Sequence, residues 1–427
     1  MRLFYTIGIG FYTLGIRLAA LFGHTKARQM VGGWKVVSGQ WSVASGKPVA
    51  WFHAASLGEF EQARPVLERY KAQHPDSRII VTFFSPSGYE VRKNYSQADV
   101  VRYLPMDTPR NVRRFLDTYR PTVAFFVKYE FWYNYLDELR RRGVPTYIFS
   151  AIFRPDQYFF KWYGGWFRRQ LKECFAHLFV QNEESLHLLK SHGIDRYSLA
   201  GDTRFDRVHQ IAQAAERDAT VDAWLDGYEG KVLVGGSTWP PDEELLTQTI
   251  KQSSNQAIRI ILAPHVISEE HLKQIEQIFP ESIRYSKVTE LLSNKVTESH
   301  SETQSLSHPD THQVLIIDNI GLLSKLYRYA DVAYIGGGFG VGIHNILEAV
   351  TFGKPVLFGP NYHKFQEAHD IIARGGGFSH SDGTQLVENL QPLLTDTDAY
   401  RRASQACLDY MDANLGSTDK ILNTIEH

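Results

Sequence analysis

Two carboxylates, a guanidinium and a run of glycines are the residues of this sequence best placed to do chemistry. Glu59 follows the apolar run Val49–Ala54 and the turn Ala55-Ser56-Leu57-Gly58, which puts it at a helix start behind a strand end. A carboxylate there can accept a proton from a bound hydroxyl. It can equally be an acid that the helix dipole favours. Glu130 closes the run Ala124-Phe125-Phe126-Val127-Lys128-Tyr129. So close to an apolar strand it needs a partner or a ligand, because a bare buried charge is costly. Arg204, within Gly201-Asp202-Thr203-Arg204-Phe205-Asp206, can meet an anionic substrate or be a surface cation. The glycine run is Gly336-Gly337-Gly338, set between the apolar Val332–Ile335 and the segment Asn345-Ile346-Leu347-Glu348. A strand, a glycine turn and a helix start turn backbone N–H groups toward a phosphate. The same cluster also serves as a plain tight turn, and it is neither a Walker A loop nor a dinucleotide fingerprint. Glu348, one turn into that helix, is placed to read ribose hydroxyls or to stand in solvent. Ser237 and Thr238 follow a Gly-Gly strand end and Pro264-His265 another, so all four are expected on the same rim. Hydroxyls, amides and an imidazole around one opening suit a nucleoside monophosphate and an anionic sugar.

To bring these groups together the chain must build strands that end at common rims. Apolar runs at residues 49–54, 79–84, 101–104, 122–127, 145–150 and 177–181 alternate with helical stretches of about 10–15 residues, the pattern of a parallel sheet covered on both faces. A second round runs through 232–238, 258–265, 314–318, 332–335 and 355–358. The predicted fold class is α/β, with two Rossmann-like doubly wound domains facing a central cleft where ligands bind. The predicted segments are 1–45, an N-terminal membrane anchor helix and basic arm; 46–210, the first domain; 211–230, a linker; 231–397, the second domain; and 398–427, a C-terminal helix packing across the junction. Residues 288–313 are rich in Ser, Thr, His and Glu, with Lys-Val-Thr-Glu at 287–290 and again at 295–298, and read as a solvated insertion loop.

A length of 427 residues favours two or three domains, and 43% apolar with 22% charged residues is ordinary for globular cores. The net charge of −1 argues against a nucleic-acid partner. Cys174 and Cys407 cannot make a disulfide framework or a cysteine zinc site, which fits a reducing compartment. The 17 histidines form no HExxH and no His-x-His cluster, so no metal is expected. The N-terminus departs from this average: no Asp or Glu precedes Glu59, whereas Arg2, Arg17, Lys26, Arg28, Lys35 and Lys47 do. Residues 3–22 are mostly apolar and just long enough to span a bilayer as a helix. Arg17 can snorkel, and the cationic flank suits an anionic cytoplasmic leaflet. A cleaved signal peptide is the rival reading, weakened by the arginine inside the apolar run; a buried helix is the other. Residues 153–172 interleave aromatic and basic side chains, which suits a membrane interface or lipid phosphate, base stacking, or a core helix with a basic outer face.

Five motifs occur in order: His53-Ala54-Ala55-Ser56-Leu57-Gly58-Glu59; Glu130-Phe131-Trp132 with Asn134; Gly201-Asp202-Thr203-Arg204-Phe205-Asp206; Gly336-Gly337-Gly338 with His344-Asn345-Ile346-Leu347-Glu348; and Gly353-Lys354-Pro355-Val356-Leu357-Phe358-Gly359-Pro360. In this the chain resembles the 3-deoxy-D-manno-octulosonic acid (Kdo) transferases of lipopolysaccharide synthesis over nearly its whole length. The resemblance implies a GT-B fold, with acceptor bound by the first domain and CMP-Kdo by the second. It implies inverting, metal-independent transfer, without a cofactor, onto a lipid A precursor at the inner face of the inner membrane. Carried over, Glu59 matches the general base, and Glu130 and Arg204 match positions of transition-state stabilisation. Pro264, His265, the segment Ile320-Gly321-Leu322, and Asn345, Ile346, Leu347 and Glu348 match CMP contacts. The chain departs from the family pattern at Lys128, Tyr129 and Tyr133. It also carries Arg204 where the family usually has lysine, and His265 where it usually has arginine. Competing readings are a GT-B transferase or epimerase acting on a UDP-sugar, and a membrane-tethered protein that holds a glycolipid without turnover.

Overall fold

The computed structural model describes residues 1–34, 46–252, 258–297 and 313–426. It divides into two units, Met1–Arg207 with Asn414–His427, and Val208–Ala413. The first unit holds β1 (Val49–Ala54), β2 (Arg78–Phe83), β3 (Val100–Tyr103), β4 (Val123–Val127), β5 (Thr146–Ala151), β6 (His177–Val180) and β7 (Tyr197–Leu199). They form one parallel sheet in the order β3-β2-β1-β4-β5-β6-β7. β1 and β4 are buried at every residue, as strands covered on both faces must be, and hence read as unbroken apolar runs. Alternate side chains feed opposite cores: Trp51 and Phe126 pack with Phe115, Tyr135 and Leu139, while Phe52 and Phe125 pack with Phe60, Val66 and Phe179. Strand order reverses between β1 and β4, which opens a crevice beyond their carboxyl ends.

The second unit repeats the plan with β8 (Lys231–Thr238), β9 (Ile258–Pro264), β10 (Ser282–Arg284), β11 (Val314–Ile316), β12 (Val332–Ile335), β13 (Val356–Phe358) and β14 (Gly377–Ser379). The order is β10-β11-β9-β8-β12-β13-β14, again parallel, and the reversal falls between β8 and β12. The α/β class and the pairing of two doubly wound units are as read from the sequence.

At the N-terminus, α1 (Arg2–Leu21) leads into α2 (Thr25–Gly33). α1 is long and apolar enough to cross a membrane, and none of its residues is buried, which removes the buried-helix reading. Several side chains fasten it to the first unit: Arg2 ion-pairs with Asp137, the Tyr5 hydroxyl donates to Asp107 at 2.7 Å, and Tyr12 stacks on Phe84.

Residues 211–230, expected as a helical, charged linker, do contain the helix Ala219–Trp224, and they fall in the second unit. The expected loop from residue 288 begins instead inside the helix Tyr285–Thr297. That helix is pinned by Tyr285 donating to Asp218 at 2.9 Å and by the Thr220–Thr289 hydroxyl pair at 3.1 Å. Residues 298–312 of that segment, and residues 35–45 of the basic arm, lie outside the described residues. Near the C-terminus, the helix Thr397–Asn414 falls in the second unit and Ser417–Glu426 in the first.

Candidate active site

The turn after β1 enters α3 (Leu57–Gln73) with Ser56 as its N-cap. The Glu59 amide donates to the Ser56 hydroxyl at 3.5 Å, and the Glu59 carboxylate accepts the Ala55 amide at 2.6 Å. This is the reciprocal logic of a capping box, reaching back one residue further than usual. The bonds that start the helix therefore also fix the carboxylate at the reversal point of the sheet. Burial pushes the Glu59 pKa up to about 7, with the Glu130 charge adding; the Ala55 amide, His53 and Lys128 oppose the rise. A carboxylate balanced near neutrality is matched to general-base work.

Glu130 follows β4, the other strand of the reversal. Its Oε2 accepts from Trp132 Nε1 at 2.5 Å and lies 3.0 Å from His53 Nε2. His53, fully buried on β1, has Nδ1 2.9 Å from the Thr82 hydroxyl, which itself accepts from Trp51 Nε1 at 2.8 Å. Thr82 and Glu130 thus hold the ring from its two nitrogens, and the Trp132 indole nitrogen also lies 3.0 Å from Nε2. Glu130 thus has the partner its position demanded. The sequence reading gave no role to His53, Thr82 or Trp132; a polar residue near the end of an otherwise apolar strand was the signal for the first.

Arg204 opens the helix Thr203–Ala214, and its Nε donates to Asp202 at 2.7 Å. Asp202 also accepts the Arg204 amide and Gln62 Nε2, each at 2.9 Å. Thr203 donates to the Gln62 carbonyl at 2.7 Å. Gln62 stands one helical turn after Glu59 on α3, so the Arg204 motif is anchored to the helix that carries Glu59. Asp206 has a different task, accepting the Gly416 and Thr418 amides at 2.8 and 2.6 Å and so starting the last helix.

In the second unit the structure corrects part of the expected phosphate cradle. The Gly336 amide donates to the Gly236 carbonyl at 2.9 Å, and the Gly337 amide donates to the Asp242 carboxylate at 3.0 Å. Asp242 also takes the Tyr334 hydroxyl and the Trp239 amide, each at 2.9 Å. Two of the three glycine amides are therefore occupied within the protein. Packing explains these glycines: a Cβ on Gly336 would stand 2.3 Å from the Ser237 carbonyl oxygen, and one on Gly338 would stand 2.6 Å from the Gly359 backbone. The helix beyond the turn is only Leu347–Val350 and starts after Ile346, too short to supply much dipole. Thr238 is also redirected: it is fully buried and donates to Glu243 at 2.9 Å, away from the rim.

The other expected groups of this unit are placed by its strand ends and loops. Ser237, at φ +52, sits where the β8–β9 register shifts. Pro264 ends β9, and the exposed His265 ring lies stacked between Trp239 at 4.7 Å and His344 at 4.5 Å. Burial and His265 together lower the His344 pKa, which keeps that ring neutral. Ile320 is 93% exposed, and Gly321 at φ +96 turns the loop that includes Leu322. Asn345 donates to Glu348 at 3.1 Å and accepts the Leu347 amide at 3.2 Å, orienting the carboxylate. The Ile346 and Leu347 side chains are buried, and their carbonyls and the Leu347 amide are taken by bonds within the protein. Among the described residues, no cluster of His, Cys, Asp or Glu is arranged to hold a metal ion.

Residues 153–172 divide between core and surface. Phe153 and Phe159 are buried, whereas Trp162 is 93% exposed beside Tyr163. Trp166 joins them to α1 by lying 6.3 Å from the Tyr5 ring.

Residues 26–207 match the family described as 3-Deoxy-D-manno-octulosonic-acid transferase (kdotransferase). A 3-deoxy-D-manno-octulosonic acid transferase of Aquifex aeolicus (strain VF5) is 26% identical, covering 83% of this chain and 88% of that protein. Another, of Bordetella pertussis, is 26% identical and covers 98% of this chain and 99% of its own. Among solved structures, UDP-GlcNAc 2-epimerase from Neisseria meningitidis bound to UDP-GlcNAc aligns with a TM-score of 0.58 and 15% identity, over 89% of this chain and 99% of that one. The sequence matches bear out the resemblance read from the motifs, and the structural likeness bears out the GT-B fold class.

Proposed function

We propose, on the premise that this chain is a member of the 3-deoxy-D-manno-octulosonic acid transferase family, that it moves Kdo from CMP-Kdo to a hydroxyl of a lipid A precursor of the lipid IVA type. The observation that carries the mechanism is Glu59, fixed at the strand-order reversal with a pKa near 7 beside Glu130. Glu59 takes the proton of the acceptor hydroxyl as that oxygen attacks the anomeric carbon of Kdo. The bond from that carbon to the phosphate oxygen breaks, CMP leaves with the electron pair, and the configuration inverts. Glu130, held by His53 and Trp132, stabilises positive charge that develops on the sugar. Arg204 offsets the Kdo carboxylate or the leaving phosphate. CMP falls to the second unit: Ser237, Pro264, His265, the backbone of Ile320, Gly321 and Leu322, the Gly338 amide, and Asn345 with Glu348. No metal and no cofactor takes part in this scheme.

The membrane half of the reading rests on α1. Leu3, Phe4, Ile7, Phe11, Leu14 and Leu18 are all exposed, a surface that monomeric soluble domains seldom present. Its attachments at Arg2, Tyr5 and Tyr12 favour a helix lying in the interface over one crossing it. The exposed Trp162 and Tyr163 suit the same surface. The reading places the protein on the cytoplasmic face of the cell inner membrane, against an anionic leaflet.

The test is to incubate the purified protein in mixed micelles with CMP-Kdo and a tetraacylated, bisphosphorylated glucosamine disaccharide. Release of free CMP should accompany a mass gain of one or more Kdo units on the lipid. Turnover of a UDP-sugar with CMP-Kdo left intact would favour the competing nucleotide reading. Lipid binding with no CMP release would leave a glycolipid-holding protein.

A further inference from the structure

The first unit contains a second feature that transfer as described does not use. α1, α2 and the turn from β2 into α4 (Pro86–Arg92) enclose a groove of about 450 Å³, lined by Gly15, Ile16, Ala19, Met30, Phe84 and Pro86. That volume lies within the roughly 300–1,000 Å³ of small-molecule sites. The lining is apolar except for Ser85, His24 and Lys26.

α1 presents two apolar faces. Tyr12, Gly15, Ile16 and Ala19 follow the helical repeat into the groove, while Phe4, Ile7, Phe11, Leu14 and Leu18 point outward. A helix that merely rests on a bilayer needs only the outward face. The inner face has instead been left open at Gly15, where a Cβ would meet nothing within 4 Å. The groove also borders the catalytic cluster through one shared side chain. Phe84, which lines it, has its ring 4.9 Å from Trp132, and Trp132 donates to Glu130. A long apolar ligand in the groove would therefore have its head next to Glu130 and Glu59. Lys26 in the lining supplies a cation for an anionic headgroup.

We propose that this groove receives one acyl chain of the glycolipid acceptor, drawn out of the bilayer so that the attacking hydroxyl is presented to Glu59. The proposal rests on the transferase reading above and adds how the acceptor is recognised. It makes acylation of the acceptor part of specificity, because the chain's burial is lost when the chain is absent.

The experiment compares full-length wild type, Gly15→Phe, which fills the groove, and Gly10→Phe, which adds the same ring to α1 outside the lining. Gly10 likewise has nothing within 4 Å of a Cβ. Each protein is given the tetraacylated acceptor and its fully deacylated, water-soluble counterpart, with CMP release as the readout. Gly15→Phe should raise KM for the acylated acceptor at least tenfold while kcat and use of the deacylated acceptor stay at wild-type values. Gly10→Phe should match wild type on both. Equal KM values for Gly15→Phe and wild type, or equal losses on both acceptors, would overturn the groove assignment. Failure of wild type to transfer to either acceptor would reject the transferase reading instead. In that event, binding of cis-parinaric acid decides the groove by itself: saturable fluorescence enhancement abolished only by Gly15→Phe supports an acyl site, and enhancement unchanged by it refutes one.

Discussion

Replacing Glu130 by glutamine removes the neighbouring carboxylate that helps raise the Glu59 pKa, and transfer should then persist to lower pH. In the fold, Glu59 is lifted from 4.5 to about 7, burial first and Glu130 second. Only the ionised form can take the acceptor's proton. With a pKa of about 7, roughly one Glu59 in ten is ionised at pH 6 and roughly nine in ten at pH 8. Wild-type kcat/KM should therefore climb about tenfold across that interval, with unit slope on the acid side. Glu130→Gln leaves burial in place, so the limb should move toward lower pH without reaching 4.5. A glutamine oxygen can still accept from Trp132, which keeps the local geometry. The stability sign follows from the same shift. Protonated Glu59 makes a contribution to folding that is full below pH 4.5 and is lost as pH rises through about 7. Initial rates of CMP release between pH 5.5 and 8.5 measure the limb, and Glu59→Gln should abolish it with a loss of ~10²–10⁴-fold. A wild-type profile flat from pH 6 to 8, or a Glu130→Gln limb that stays put or moves upward, would refute the assignment of Glu59 as base.

Two further outcomes are expected in the second unit. Glu348→Ala should weaken CMP binding about tenfold or more by calorimetry, the worth of a hydrogen bond to a charged group, and unchanged affinity would remove Glu348 from ribose recognition. Gly336→Ala forces a Cβ to 2.3 Å from the Ser237 carbonyl and should cost about 1–3 kcal/mol in denaturant unfolding; a variant as stable as wild type would contradict the packing account of the glycine run.

The alternation of strands and helices was legible because β1, β4 and β9 are buried along their whole length and must be apolar throughout. Glu59 was legible because Ser56-x-x-Glu59 is a local signal whose partners lie within a few residues. Groups whose roles depend on distant partners were harder to read. The Gly337 amide is taken by Asp242, which lies 95 residues earlier, so a glycine pattern that suits a phosphate is in fact closed by the protein. His53 is oriented by Thr82, 29 residues on, and by Glu130, 77 residues on. The helix Tyr285–Thr297 has the polar composition of a loop and is held by a bond between Thr220 and Thr289, 69 residues apart. In each case sequence limits which side chains are available, and tertiary packing decides which hydrogen-bonding valences remain open.

That choice is made by the same backbone device in both units. Lys128, just beyond β4, has φ +57, and Ser237, near the end of β8, has φ +52. Non-glycine residues in this region cost of order 1–3 kcal/mol each and persist only where the surroundings over-determine them. A strand that simply continued would send its next side chains alternately up and down the sheet. A left-handed residue breaks that alternation at the strand-order reversal. In the second unit the break turns Thr238 inward to Glu243, and the register shifts between Gly236 and Thr238. In the first it brings Glu130 across to His53 on the neighbouring strand. Glycine at either position would relieve the strain. At position 128, however, it would also delete an ammonium that opposes the raised pKa of Glu59, so that the base would titrate higher still. Residue 128 thus carries both the strained turn and a charge that acts on Glu59, the base proposed for transfer.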